Sequence, residues 1–174
     1  MPSDDSTRLT VGCEAEVMNG PKLHFDIEFE FGELRADHVA MWVRLSVESS
    51  KYETGRWYYW WHLQHFADGL SKMHSELKGS CTLCDWDGET VLGLAMLDPV
   101  RGLIGVGGQL NQYVFCDEAA PKEGLVFPEM FGKSAGIVVS FDGLVTDQSY
   151  LSPLIAGLRR FINESGIEHR PPWP

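Results

Sequence analysis

Positive charge is what this chain has least of. Against 25 Asp and Glu stand 14 Lys and Arg, a formal net charge of −11 over 174 residues. A phosphate backbone is bound by clustered Lys and Arg, so nucleic acid is not an expected ligand, whereas an acidic field speeds encounter with a basic partner. Long apolar runs are also missing. A bilayer span needs about 20 apolar residues, and the best run, GIVVSFDGLV, is broken by Asp142. The first residues, MPSDDSTRLT, are acidic and polar where an export signal needs a basic start and an apolar core, so a soluble, cytoplasmic protein is expected. Cysteine is sparse too: Cys13, Cys81, Cys84 and Cys116. A chain of this length with 44% hydrophobic residues builds its own core without a disulfide framework, and the thiols are expected to be reduced.

Complete phosphate-loop, dinucleotide-binding, calcium-loop and HExxH motifs are absent as well. Gly132, Lys133 and Ser134 look like the end of a phosphate-binding loop, but Phe127 stands where its first glycine belongs. The glycines Gly102, Gly105, Gly107 and Gly108 do not precede a helix at dinucleotide-binding spacing and instead suit bends or bulges in a strand. Asp26, Glu28 and Glu30 begin like a calcium loop, yet Phe31 and Asp37 occupy the positions of its glycine and its final glutamate. There is no HExxH. Cys81 and Cys84 have half of a zinc-site spacing without a second half, and His62 and His65 lack a third ligand nearby in sequence. No catalytic residue, cofactor or metal is assigned. Whether His62 and His65, or Cys81 and Cys84, join a site assembled in space is open.

What is present is alternation. In KLHFDIEFEF, Leu23, Phe25, Ile27, Phe29 and Phe31 fall on one side and His24, Asp26, Glu28 and Glu30 on the other, the pattern of a half-buried strand. CEAEV and AMWVRLSVE repeat it, with Glu14 and Glu16 on the polar side of the first and Met41, Val43, Leu45 and Val47 pointing inward in the second. In GRWYYWWHLQHF the chain passes from extended to helical near Trp60, after which Leu63, Phe66, Leu70, Met73 and Leu77 recur at helical spacing. Trp57, Tyr59 and Trp61 are expected as core anchors, with Tyr58 and Trp60 nearer the surface.

Extended runs follow, joined by the turn pairs Asp87-Gly88 and DPVRG, which are too short for helical crossovers. The segment CDEAAPKEGLVFPEMFGKSAG has no sustained period and is expected as a loop, with room for a short edge strand. A last strand leads into a helix with Leu151, Leu154, Ile155, Leu158, Phe161 and Ile162 as its apolar stripe. Ser149 or Ser152 is the candidate cap, Pro153 fits the first turn and Gly166 the end. The expected architecture is one α+β domain spanning 1–174 with an ordered core at about 9–166. It has an antiparallel curved sheet or sandwich of about 6–8 strands, two main helices near 61–78 and 149–165, a polar N-terminus and an extended Pro-rich tail.

Three stretches together resemble small bacterial proteins of the WapI-type immunity family, which occur with polymorphic toxins: WYYWWHLQHFADGL, GSCTLCDWDGETVLGLAMLDPVRGLIGVGGQL and VSFDGLVTDQSYLSPLIAGLRRF. The likeness is one of order and pattern from about Leu23 to Ile162. The segment CDEAAPKEGLVFPEMFGK and the CxxC depart from it. The resemblance implies a cytoplasmic, non-enzymatic protein that binds and neutralises a cognate toxin domain and uses no cofactor. The acidic strand faces carrying Glu14, Glu16, Asp26, Glu28 and Glu30 are the expected docking surface for a basic toxin domain, with Tyr58, Trp60, Phe127 and Phe131 as candidate apolar anchors. The alternative is a small-molecule-binding or hydrolytic α+β domain with its pocket between the sheet and the helix that begins near His62. Neither the identity of the toxin nor the oligomeric state is legible in the sequence.

Overall fold

The computed structural model describes residues 8–16, 22–114 and 135–166. Phe127, Phe131, Cys116 and the Pro-rich tail lie outside the described residues. Two four-stranded antiparallel sheets and two helices make an α+β fold, and neither sheet closes on itself.

The first sheet runs in chain order: β1 (Arg8–Glu16), β2 (Lys22–Leu34), β3 (His38–Val47) and β4 (Ser50–Tyr59). Its inner face buries Phe25, Ile27, Phe29 and Phe31 of β2 and Val39, Met41, Val43 and Leu45 of β3, the side that alternation selects. The second sheet is also a meander, β5 (Ser80–Cys84), β6 (Thr90–Asp98), β7 (Leu103–Val114) and β8 (Ala135–Asp147). Its turns fall where expected. Gly88 and Gly102 take positive φ, of 82° and 67°, the backbone region that favours glycine.

Helix α1 (Trp60–Glu76) starts one residue earlier than the expected 61, and Tyr59 before it is still extended. It buries Leu63, Phe66, Ala67, Leu70 and Met73 and ends on Leu77 in the left-handed conformation. Helix α2 (Leu151–Ser165) ends on Gly166 at φ 72°, as expected. Neither serine caps it. A single 3-10 turn, Gln148–Tyr150, precedes it, and there the Asp147 carboxylate accepts the Ser149 amide at 2.7 Å. Phe161 of α2 stacks on Phe31 with ring centroids 3.7 Å apart, and one apolar core joins both sheets to both helices.

The expected split of the aromatic run is inverted. Tyr58 is fully buried and Trp60 nearly so, whereas Trp57, Tyr59 and Trp61 are only partly buried. The register explains why. Tyr58 pairs with buried Val39, and Thr54 and Arg56 share its inner side, so β4 turns its more polar residues inward. Those polar groups find partners inside: Thr54 Oγ1 donates to the Asn111 carbonyl of β7 at 2.6 Å, and Arg56 pairs with Asp85.

Tyr58 carries a buried hydroxyl with no hydrogen-bond partner among the described residues, and burial pushes its phenol well above the usual range. An unsatisfied buried polar atom opposes folding, while the ring itself is fully packed. Tyr58→Ala is therefore expected to cost about 3–5 kcal/mol in urea unfolding. Tyr58→Phe should leave stability unchanged or raise it. A Tyr58→Phe protein destabilised by more than about 1 kcal/mol would mean that the hydroxyl is hydrogen-bonded after all.

Candidate docking face

The outer face of the first sheet is the candidate site, and its layout follows from register. Across β2, β3 and β4 the rows read Asp26, Ser46, Lys51; then Glu28, Arg44, Glu53; then Glu30, Trp42, Gly55. The last two rows are Ala40 with Trp57 and His38 with Tyr59. At about 3.3 Å per residue, the stretch from Glu53 to Tyr59 is about 20 Å long. One end is rich in carboxylates and the other in aromatic rings. Trp42 marks the border, lying over Gly32 and Gly55, where a Cβ at either position would run into its ring.

At the acidic end Arg44 forms ion pairs with both Glu30 and Glu53. The Glu53 hydrogen bond raises the guanidinium above its usual range against the effect of desolvation, and Glu30 adds to it. Asp26, Glu28 and Glu30 form the expected row. Glu14 and Glu16 of β1 prolong it rather than flank it: they pair with His24 and Lys22, while Arg8, Thr10 and Gly12 stand beside Glu30, Glu28 and Asp26.

At the aromatic end Tyr59 stacks between Trp86 (4.7 Å between centroids, 18° between planes) and Trp61 (5.8 Å, 16°). His38, hydrogen-bonded to Asp37, lies edge-on to both Trp57 (4.7 Å) and Trp86 (4.9 Å). His62 and His65 flank Trp61 at 3.8 and 5.6 Å. The guanidinium of Arg35 sits 4.8 Å over Trp57. Trp86 is 43% exposed. The partly exposed rings of this run are thus Trp57, Tyr59 and Trp61, not Tyr58 and Trp60, which belong to the core. Trp86 and His38 went unrecognised as members of the cluster. The pairing of β4 with β3 and the docking of the β5–β6 turn bring them in, and no local pattern encodes either.

Beneath the rings lies a polar cluster in which the Arg56 side chain, Asp85 and Asn111 are buried and Glu89 reaches solvent. Arg56 Nη1 is 2.5 Å from Asp85, and its Nη2 is 3.1 Å from Glu89. Asp85 also accepts the Glu89 amide at 2.9 Å, and Asn111 donates to Glu89 at 2.8 Å. Burial pushes the Asp85 carboxyl above its usual range; the Glu89 amide and Arg56 pull it back, and the Glu89 and Asp87 charges add to the rise. The same turn donates the Trp86 amide to the Trp57 carbonyl at 2.9 Å. Arg56 and Asp85 therefore fix the position of Trp86.

The other candidates fall apart in space. Cys81 is buried against Gly69 of α1, and burial pushes its thiol up to about 12, so it is no ready nucleophile. Cys84 is partly exposed, 3.8 Å from the Thr90 hydroxyl. Both thiols are free. Among the described residues no three His, Cys, Asp or Glu side chains come together to hold a metal ion, and no helix is long and apolar enough to cross a membrane. On the outer side of the second sheet, Gly93, Gly105 and Gly107 floor an open trough of about 410 Å³ edged by Leu97, Phe141 and Asp142. Comparison with family models, curated proteins and solved structures gives no match.

Two measurements check this cluster. Breaking a buried ion pair from one side leaves a charge without its partner, so Arg56→Met or Asp85→Ala should cost about 3–5 kcal/mol in urea unfolding. The double variant should cost less than the sum of the two. Additive costs would show that the pair is not coupled.

The second concerns His62, whose pKa burial lowers from 6.5, with the Cys84 backbone and the Asp85 charge pulling the other way. With the folded pKa below the unfolded one, the unfolded chain binds the proton more tightly. The contribution of neutral His62 is complete above about pH 6.5 and is lost as the pH falls through the folded value. The melting midpoint should drop on acidification below 6.5, and His62→Gln should flatten that drop; identical slopes would assign it to other groups.

Proposed function

We propose that this chain is a cytoplasmic, non-enzymatic immunity-type protein that binds a basic toxin domain through the outer face of its first sheet. The observation that carries the reading is the continuity of that face. Carboxylates and the rings of Trp57 and Tyr59, chemically suited to different parts of a docking event, lie on one side of one sheet, and Trp61 of α1 and Trp86 of the β5–β6 turn stack on Tyr59 there. The carboxylate rows and the net charge of −11 raise the encounter rate and orient the partner. Trp57, Tyr59, Trp61 and Trp86 supply large, stiff apolar contacts of the kind that carry most of the affinity in protein interfaces. The resemblance to WapI-type immunity proteins points the same way.

A second reading, small-molecule binding, is favoured by the glycine-floored trough on the second sheet. That trough is open, and it lies on the opposite sheet from the aromatic cluster. The two readings separate by surface: ligand-induced changes confined to Gly93, Gly105 and Phe141 would favour the second.

The test is a search for a toxin domain encoded beside this protein and co-purification with it, followed by binding kinetics. With Asp26→Lys, Glu28→Lys and Glu30→Lys combined, the association rate at low salt should fall by about tenfold or more. Trp57→Ala or Trp61→Ala should mainly speed dissociation. A correctly folded triple variant that associates at the wild-type rate in low salt would reduce the carboxylate row to a solvated face.

A further inference from the structure

The turn between β5 and β6, Asp85-Trp86-Asp87-Gly88-Glu89, is set up to receive a cation. Asp85 is fixed beneath it by Arg56 and by the Glu89 amide, and Gly88 closes the turn by donating its amide to the Asp85 carbonyl at 3.0 Å. Trp86 is held in place by the hydrogen bond its backbone amide donates to the Trp57 carbonyl and by its stack on Tyr59, yet it stays 43% exposed. Asp87 beside it is exposed, and half of the Glu89 side chain is exposed.

Three carboxylates are thus crowded into five residues, and the guanidinium packed against them, Arg56, is 8% exposed and engaged with Asp85 and Glu89. Asp37 and His38 add one more carboxylate nearby. The surplus negative charge lies next to an exposed indole. Elsewhere on the same face the chain already combines these elements: Arg35 lies over Trp57 while its Nε donates to Glu33 at 3.2 Å.

We infer that this turn captures an arginine side chain of the docking partner, the guanidinium lying against the exposed part of Trp86 and its N–H fork engaging Asp87. The inference rests on the docking reading above and names the chemistry the partner presents at the aromatic end. Arginine fits better than lysine because its planar fork serves a ring and a carboxylate at once, whereas an ammonium is a compact and strongly hydrated charge.

The experiment titrates the 15N-labelled full chain with acetyl-Gly-Arg-Gly-amide, its lysine counterpart and its neutral citrulline counterpart. The readout is the indole N–H signals, with Trp86 assigned by the signal lost in Trp86→Leu. The arginine peptide should move the Trp86 signal saturably and bind about two- to fivefold tighter than the lysine peptide. Citrulline should leave it still. Asp87→Asn, a change at an exposed position that spares the fold, should abolish the response. No saturable shift at Trp86, an equal response to citrulline, or a response unchanged in Asp87→Asn would each overturn the assignment. The docking reading fails separately: a toxin domain captured equally well by wild type and Trp86→Leu leaves docking intact and removes this site. A peptide response at Trp86 without any toxin capture keeps the site and removes the proposed partner.

Discussion

The ion pair between Arg56 and Asp85 is the contact on which the rest of the surface depends. Arg56 belongs to β4, the last strand of the first sheet, and Asp85 to the turn that follows β5, the first strand of the second. Taking both charges out of water offsets much of their attraction, so the pair is a poor source of net stability. Its consequence is positional. With Asp85 held against β4, the Trp86 amide reaches the Trp57 carbonyl, and the indole comes to rest on Tyr59. Thr54, Asn111 and Glu89 extend the same network to β7, so the two sheets are joined by polar contacts at this end and by apolar packing elsewhere.

This polar seam also explains how much of the fold was legible. Where alternation is clean, as in β2 and β3, each inward residue is apolar and the buried face can be read directly. The turns at Asp87-Gly88 and Asp98–Gly102 announce themselves because their glycines take positive φ. On β4 the same logic fails. Its inner residues Thr54 and Arg56 are polar and its outer residues Trp57 and Tyr59 aromatic, so a rule that sends apolar side chains inward assigns the wrong face. Only the partners, Asp85 and Asn111, each far away in sequence, make the inward arginine and threonine tolerable. The cap of α2 was missed for a related reason: the 3-10 turn bound by Asp147 takes up the position where a serine cap would stand.

The candidate face was half legible. The carboxylate row of β2 follows from period two, but its neutralisation by Arg44 depends on how β3 and β4 pair. Glu30 and Glu53 both engage Arg44, so part of the charge of this face is already neutralised within the sheet, and the field of the whole chain adds to what remains. The aromatic end was hidden more deeply. Trp86 and His38 come from segments that look, taken alone, like a hairpin turn and the start of a strand.

Such a division of one face has a kinetic meaning. Charges act over about 8 Å in physiological salt, so in the proposed docking the carboxylate end would influence a partner before contact, while rings would act only once water between the surfaces has gone. An interface of charges alone would be fast to form and fast to part, and one of rings alone would be slow to find. The two ends also differ in rigidity. The carboxylates stand on flexible side chains, whereas Tyr59 is clamped between Trp86 and Trp61, and Trp86 is pinned through its own backbone. Rings already ordered in the free protein lose little conformational entropy on binding, which is the condition under which a small aromatic surface sustains a long-lived complex.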